Sequence, residues 1–297
     1  MVGEAILGID LGGTQVRVGK VRAGEIQRRE TSRISGHERA EVVLGEIFRT
    51  VDPVFDGEVI GIGCGAPSVV DTERGVVYSV ENIPSWREVP LKDELENRYG
   101  VPAYINNDAN AFATGELHFG KGRGCHNLVG LTLGTGLGAG IIIGGRLYSG
   151  ANCGAGEIGA IPYREHTLEH YCAAPFFQRQ AGVSGEVLAR WARAGDAQAL
   201  RLFEAFGFEL GYAIMVVLYA YDPELIVLGG SISRALPWFE GGMRERLKEY
   251  AYRHVLERVR IEPSGMEGAA ILGAAALYLE ARNGARAHEG PWTWRSG

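Results

Sequence analysis

One short stretch near the N-terminus combines a carboxylate with a glycine-rich turn. Asp10 ends a run of apolar residues that has the pattern of a buried strand, and Gly12, Gly13 and Thr14 follow directly. Glycines let the backbone turn tightly and approach a bound group closely, so the amides of such a turn can converge on an anion. A phosphate that carries magnesium needs these donors together with oxygen ligands for the metal. The stretch predicts a β-hairpin that binds a phosphate, with Mg²⁺ held near Asp10 through water, although an ordinary surface turn has the same glycines.

A second stretch, residues 128–147, repeats this pattern more than a hundred residues later. An apolar strand leads into a glycine-rich turn, and an apolar strand returns from it, with Thr132 at the position that Asp10 holds in the first stretch. The turn consists of Gly134, Thr135 and Gly136. Two related phosphate-binding hairpins indicate two related domains that hold one nucleotide from either side.

A third stretch, residues 101–113, joins a short apolar strand to a helix through a cluster of amides and one carboxylate. Open α/β sheets often have their ligand-binding side chains at such strand-to-helix junctions. One of Asn107, Asp108 and Asn110 can cap the helix. A cap needs only one polar residue, however, so the cluster is a candidate binding or catalytic site.

Strands and helices alternate along the rest of the chain, which is the pattern of an α/β fold. Besides the two hairpins, strands are predicted at 25–31, 58–65 and 225–228. Helices are predicted at 38–51, 91–99, 186–194, 196–221 and 268–279. Gly100 is the expected C-cap of the second of these helices.

Size and composition limit the classes of function. The chain has 297 residues, which is long enough for two domains. Its formal net charge is -6, and it contains no run of basic residues that would bind along a nucleic acid. Its four cysteines are scattered, as expected of free thiols in a reducing cytoplasm. The N-terminus lacks a signal-peptide pattern, and the longest apolar run, 213–221, is too short to span a bilayer. We expect a cytoplasmic protein that binds neither nucleic acid nor membrane.

Taken together, the two hairpins and the Asn-Asp junction resemble the actin-like sugar-kinase superfamily. Within it the chain is similar to the ROK family of sugar kinases and sugar-responsive repressors. The resemblance implies two RNase H-like α/β domains with an interdomain cleft. The first would comprise 1–111 with a returning C-terminal helix at about 268–283, the second 112–267, and 284–297 would be a tail that is disordered or docked on another subunit.

The family also implies an activity, which is ATP- and Mg²⁺-dependent phosphorylation of a hexose, expected at the C6 hydroxyl. Glucose is the first expected substrate, with fructose, allose and N-acetylmannosamine as alternatives. A homodimer or homotetramer is implied as well. The main alternative is a sugar-sensing regulator of the same family. Such repressors carry a helix-turn-helix before the first hairpin, whereas this chain begins four residues ahead of its first strand, so we expect an enzyme.

The resemblance also implies roles for individual residues. Asp108 corresponds to the catalytic base. The expected sugar contacts are Gly65, Ala66, Asn82, Asn107, Asp108, Glu157 and Glu169. The expected ATP and phosphate contacts are Asp10, Gly12, Gly13, Thr14, Gly134, Thr135, Gly136, Gly229 and Gly230. From the sequence, Asn82 can equally cap a turn, and the nearby Trp86 can be a core aromatic.

Residues 150–159 resemble the family's glycine-rich sugar loop, and the chain departs from the family pattern directly after them. Ala160 stands where a histidine is usual, and the family's cysteine-rich zinc segment is absent, so no structural zinc is expected. The letters from His166 to His170 also spell H-x-x-E-H, the inverted zincin pattern of two zinc-binding histidines and a glutamate. A metalloprotease is therefore a third hypothesis, although a histidine pair at a helix start explains the same letters.

Overall fold

The computed structural model describes residues 3–80 and 82–288, and for 284–288 it describes the backbone alone. Its strands are β1 (Ala5–Leu11), β2 (Gln15–Arg22), β3 (Glu25–Arg33), β4 (Val59–Ala66), β5 (Val70–Asp71), β6 (Val76–Tyr78), β7 (Glu88–Val89), β8 (Ala103–Asn107), β9 (Leu128–Leu133), β10 (Leu137–Ile143), β11 (Arg146–Leu147), β12 (Pro162–Tyr163), β13 (His166–Thr167), β14 (Leu225–Gly229) and β15 (Arg260–Pro263). Its α-helices are α1 (Ala40–Val51), α2 (Leu91–Tyr99), α3 (Asp108–His118), α4 (Leu168–Cys172), α5 (Ala174–Ala181), α6 (Gly185–Arg193), α7 (Ala197–Tyr221), α8 (Leu236–Leu247), α9 (Arg253–Leu256) and α10 (Ala269–His288). Short 3-10 helices cover Ile158–Ala160 and Ile232–Ala235.

These elements form two compact units. The first contains the described residues up to His118 together with those from Gly268 onward, and the second runs from Phe119 to Glu267. The predicted boundary at residue 111 falls inside α3, which stays whole in the first unit because its buried residues pack along α10.

Both units are built on the same kind of five-stranded sheet. In the first the order is β3-β2-β1-β4-β8, and in the second it is β11-β10-β9-β14-β15. In each sheet an antiparallel hairpin comes first along the chain. Two later strands run parallel to the first strand of that hairpin, which is β1 in one unit and β9 in the other. This repeated topology confirms the predicted α/β fold with two related RNase H-like domains.

The first unit has a core between its sheet and α10. The apolar residues of β1 are buried. In β2, Val16 and Val18 are buried on either side of the exposed Arg17, as the alternation at the start of this strand predicts. Gly8 and Gly63 have no room for a side chain because the backbone of α10 lies directly against them. The small residues of α10 allow this close packing. The outermost strand of this sheet, β3, carries charged and exposed residues, which discourage pairing with another chain.

The second unit has a core of aromatic and aliphatic side chains around α7. Phe177, Phe203, Phe206 and Phe239 are fully buried and contact one another. By length and composition α7 could cross a membrane, with a mean hydropathy of 1.5, but 56% of that apolar stretch is buried inside the protein. Because α7 packs along α8 in this core, it is the central helix of the unit.

The last helix is longer than predicted, and the histidine motif lacks the helical geometry that the zincin hypothesis requires. Helix α10 continues to His288, past its predicted end at 283, because the alanines and arginines there favour a helix. The remaining part of the predicted tail, 289–297, lies outside the described residues. In the H-x-x-E-H motif, His166 belongs to β13 and His170 to α4, so the two histidines do not share a helix as zincin ligands do.

Candidate functional site

The predicted site residues of the first unit lie at one edge of its sheet. Asp10 on β1 pairs with Gly65 on β4, and Gly65 pairs in turn with Asn106 on β8. Since these three strands are parallel, their carboxyl ends meet at this edge. Ala66 pairs with Asn107 one position further on, and α3 begins immediately after it.

Asp10 is a largely buried carboxylate with a cationic partner. Its Oδ2 atom lies 2.7 Å from Nη1 of Arg17, and its side chain is 14% exposed. Burial raises the pKa of Asp10, and the hydrogen bond and charge of Arg17 oppose that rise. A nearby cation stabilises the ionised form of such a buried carboxylate.

Magnesium fits this arrangement. Mg²⁺ is commonly held by one or two carboxylates, with waters and substrate phosphates completing its shell. Among the described residues no group of three His, Cys, Asp or Glu side chains could hold a metal. A magnesium ion here would therefore rely on Asp10 and on its phosphate ligand.

The turn after Asp10 uses one of its predicted phosphate donors internally. The N–H of Gly12 donates to the carbonyl of Gln15 at 2.8 Å and so closes the hairpin. The amides of Gly13 and Thr14 have no backbone partner in the described part of the chain, so they are the donors that can face an anion. Asn82 packs directly against Gly13, where a Cβ atom would overlap its side chain.

Asn107 is the residue that caps the strand-to-helix junction. Its Oδ1 atom accepts from the N–H of Ala109 at 2.8 Å, and its Nδ2 atom donates to the carbonyl of Ser68 at 3.3 Å. Asn106 accepts from the amide of Asn110 at 2.9 Å, which is buried beneath the junction. Asp108 is exposed at the first residue of α3. The junction thus holds the candidate base at the start of a helix. Trp86, for which the sequence also allowed a place in the core, is a fully buried core aromatic.

In the second unit, the predicted phosphate turn and the double glycine lie beside each other. Thr132 pairs with Gly138 across the hairpin and with Gly229 on β14. The turn is closed by the N–H of Gly134, which donates to the carbonyl of Gly136 at 3.1 Å, while Thr135 is exposed at its tip. Gly230 follows β14 and packs against the backbone at the end of β9. This edge corresponds to the one that carries Asp10 in the first unit.

Glu169 reaches the same turn from α4. Its Oε2 atom accepts from the N–H of Leu137 at 3.0 Å, and its carboxylate occupies the space where a side chain at Gly136 would lie. No sequence pattern signalled this contact, because it joins residues of a turn and a helix that are far apart along the chain.

Glu157 lies near enough to Glu169 for the two charges to interact. Desolvation raises the pKa of Glu157, although the residue is exposed overall, and the negative charge of Glu169 raises it further. The preceding Gly156 has a φ of 95° and packs against the backbone of Ala139, to which it also bonds. Only glycine fits this position, which fixes the loop that carries Glu157 on β10.

A tether that the sequence did not predict fastens the β12–β13 hairpin, which connects the loop of Glu157 to helix α4, where Glu169 lies. Glu209 on α7 accepts from the hydroxyl of Tyr163 at 3.0 Å and pairs with Arg164 at 2.9 Å. Glu209 lies within an apolar helical pattern that contains no motif, so only the packing identifies its role.

The rings of His166 and His170 stack beside this hairpin with their centroids 3.9 Å apart. Burial lowers the pKa of His170, and the charges of His166 and Arg179 lower it further. The pair therefore forms part of the packing of the hairpin.

Comparison with known proteins agrees with this geometry. The family model described as ROK family matches residues 6–281. A glucokinase from Thermotoga maritima is 33% identical over 308 aligned residues, which cover 93% of this chain and 97% of the relative. The crystal structure of a ROK family glucokinase from Streptomyces griseus, in complex with glucose and AMPPNP, has a TM-score of 0.77. It is 29% identical, and the match covers 92% of this chain and 98% of that one.

Regulators are among the relatives as well. The xylose repressor of Bacillus subtilis is 26% identical over 249 residues, which cover 78% of this chain and 64% of the repressor. The family model and the extent of these matches agree with the two hairpins, the repeated sheet and the Asn-Asp junction, and the chain belongs to the ROK family.

Proposed function

We propose that this protein transfers the γ-phosphate of ATP to a hydroxyl of a hexose, with the C6 hydroxyl of glucose as the first expected acceptor. The observation that carries the proposal is Asp108, exposed at the start of α3 on the sheet edge that also carries Asp10. A base at this position suits proton removal from an acceptor hydroxyl.

In the proposed reaction Asp108 accepts the hydroxyl proton while the sugar oxygen attacks the γ-phosphorus. The new oxygen–phosphorus bond forms as the bond from the γ-phosphorus to the bridging oxygen breaks, which releases ADP. The N–H groups of Gly13 and Thr14, and those of Thr135 and Gly136, would donate to phosphate oxygens. Magnesium near Asp10 would neutralise charge on those oxygens. Gly229 and Gly230 would let the adenosine approach the backbone closely.

Sugar binding would rest on carboxylates and on the junction. Because Oε2 of Glu169 already accepts from Leu137, its Oε1 atom is the one that would accept from a hydroxyl, together with Glu157. Both polar groups of Asn107 have protein partners, so its contribution would be the second hydrogen of its amide. Gly65, Ala66 and Asn82 complete the proposed sugar contacts.

A panel of hexoses and phosphoryl donors, followed by coupled ADP release and product analysis, tests the proposal. We expect turnover with ATP and glucose, a 6-phosphate product, and slower turnover with fructose, allose or N-acetylmannosamine. No turnover with any sugar would contradict it. We also propose a homodimer or homotetramer and a cytoplasmic location. Size-exclusion chromatography with light scattering would test the oligomeric state, and fractionation of cells would test the location.

The repressor relatives favour a second candidate, a ROK-type regulator that binds sugar without phosphorylating it. Calorimetry of sugar binding, combined with the assay of ADP release, separates the two functions. Sugar binding together with an absence of ADP release would support the regulator, and sugar-dependent ADP release would support the kinase.

A further inference from the structure

Ser68 has a backbone conformation that side-chain-bearing residues rarely adopt. Its φ angle is 90°, in the region that favours glycine. A conformation of this kind costs free energy and persists only where surrounding contacts hold it. Ser68 lies just beyond the end of β4, next to the sheet edge that carries the candidate site.

The contacts of the hydroxyl of Ser68 explain why position 68 is a serine and not a glycine. Its Oγ atom lies 2.8 Å from the carbonyl oxygen of Tyr78 and 3.2 Å from that of Ser79, and both are acceptors. Ser79 also has a positive φ, of 46°. The hydroxyl therefore ties the strained backbone to the end of β6, which glycine could not do.

The carbonyl of Ser68 acts on the other side of the same residue. It accepts from Nδ2 of Asn107 at 3.3 Å, while Oδ1 of Asn107 caps α3 through the N–H of Ala109. A continuous series of hydrogen bonds thus runs from β6 through Ser68 and Asn107 to the first turn of α3. Asp108, the proposed base, lies between the last two members of this series.

We infer that Ser68 is a positioning residue that orients Asn107 and the start of α3, and with them Asp108. The inference rests on the proposed kinase function for its catalytic consequence, but the structural step does not need activity. Loss of the hydroxyl would release the carbonyl of Ser68, loosen the amide of Asn107 and misalign Asp108. Small misplacements of a reacting group can lower turnover strongly.

Two substitutions separate positioning from simple stability. Ser68→Ala removes the hydroxyl and keeps the strain, whereas Ser68→Gly removes the hydroxyl and relieves the strain. We expect kcat to fall about ten-fold in both variants, with the sugar KM changed by less than about three-fold. The Tm should fall in Ser68→Ala and be retained or raised in Ser68→Gly. Thr72→Ala, at an exposed threonine beyond β5, is the control and should match the wild type.

Hydrogen exchange of the Ala109 amide supplies a readout that needs no turnover. Exchange should be faster in both Ser68 variants than in the wild type, while the amides of α1 stay unchanged. A kcat restored together with Tm in Ser68→Gly would show that Ser68 serves stability alone and would overturn the inference. Unchanged exchange at Ala109 would overturn it as well. An inactive wild type would defeat the kinase proposal and leave the exchange test of Ser68 intact.

Discussion

The two sheets of the protein share a topology and differ in the charge at their hairpins. In the first unit Asp10 faces Arg17 across the β1–β2 pair, whereas in the second Thr132 faces Gly138 across β9–β10. The equivalent position is thus a largely buried carboxylate in one unit and a neutral hydroxyl in the other. In the proposed function both hairpins would donate backbone N–H groups to phosphate, whereas Asp10 alone would supply a carboxylate to the metal.

The second unit acquires its carboxylates from elsewhere in the chain. Glu169 reaches the turn from α4 and bonds to Leu137, and Glu157 comes close enough for their charges to interact. The hairpin of the second unit therefore obtains its nearby carboxylates from segments that follow it in the chain. We expect proton transfer and metal dependence to follow the first unit, and part of the sugar selectivity to follow the second.

The largest effect is expected from Asp108→Asn. The amide keeps the shape of the side chain but cannot accept a proton, and the loss of a general base typically lowers the rate by about a hundred- to ten-thousand-fold. Calorimetric sugar binding should remain within a few-fold of the wild type. An intact kcat would mean that another group, or none, takes the proton, and it would remove the catalytic role of the first unit.

A direct test of the difference between the hairpins compares Asp10→Asn with Thr132→Ala. Because Asp10 is expected to hold magnesium through water, its replacement should raise the Mg²⁺ concentration needed for half-maximal rate about 10- to 100-fold. Thr132→Ala should leave this requirement nearly unchanged. Titration of the initial rate with Mg²⁺ provides the measurement, and equal shifts in the two variants would contradict the assignment.

Glu157→Ala and Glu169→Ala probe the carboxylates of the second unit. Charge-assisted hydrogen bonds contribute about 1.5–3 kcal/mol each, so either variant should weaken sugar use ten-fold or more. The KM for ATP should barely change, and Glu186→Ala, an exposed glutamate on α6, serves as the control. Wild-type sugar kinetics in Glu157→Ala would remove this loop from the sugar site.

The interaction of Glu157 and Glu169 predicts a pH dependence. Because the pKa of Glu157 is raised above 4.5, its carboxyl takes up a proton at a higher pH than an ordinary glutamate. The sugar KM should therefore begin to rise above pH 4.5 as the pH falls. Glu169→Gln removes one of the two causes of the raised pKa, so the rise should move to lower pH. An inflection at the same pH in both proteins would show that the two carboxylates do not interact.

The smallest expected effect is that of zinc removal. The family's cysteine-rich segment is absent from this sequence, and the stacked His166 and His170 are not arranged as zincin ligands. Elemental analysis should find well below one zinc per chain, and a chelator should leave the Tm unchanged. Stoichiometric zinc that the chelator removes would revive a metal role for these histidines.

Much of the fold could be predicted because local rules agree with it. The apolar run of β1 is buried, Gly100 ends α2 with a φ of 69°, and the long apolar helix is α7, capped by Asp196. The end of α10 could not be predicted in the same way. Asn283 and the glycine after it resemble a stop signal, but the residues that follow favour a helix enough to continue it.

By itself the sequence determined the two glycine-rich hairpins, the alternation of strands and helices, and the polar junction at Asn107 and Asp108. Those features depend on residues close together in the chain, where side-chain periodicity and glycine flexibility decide the backbone. Tertiary structure alone decided which polar groups remain available. It brought the amide of Asn107 to the carbonyl of Ser68, and Glu169 to the N–H of Leu137 on a distant hairpin. These outcomes depend on hydrogen bonds between packed segments, because a buried polar group takes whichever partner folding brings near it.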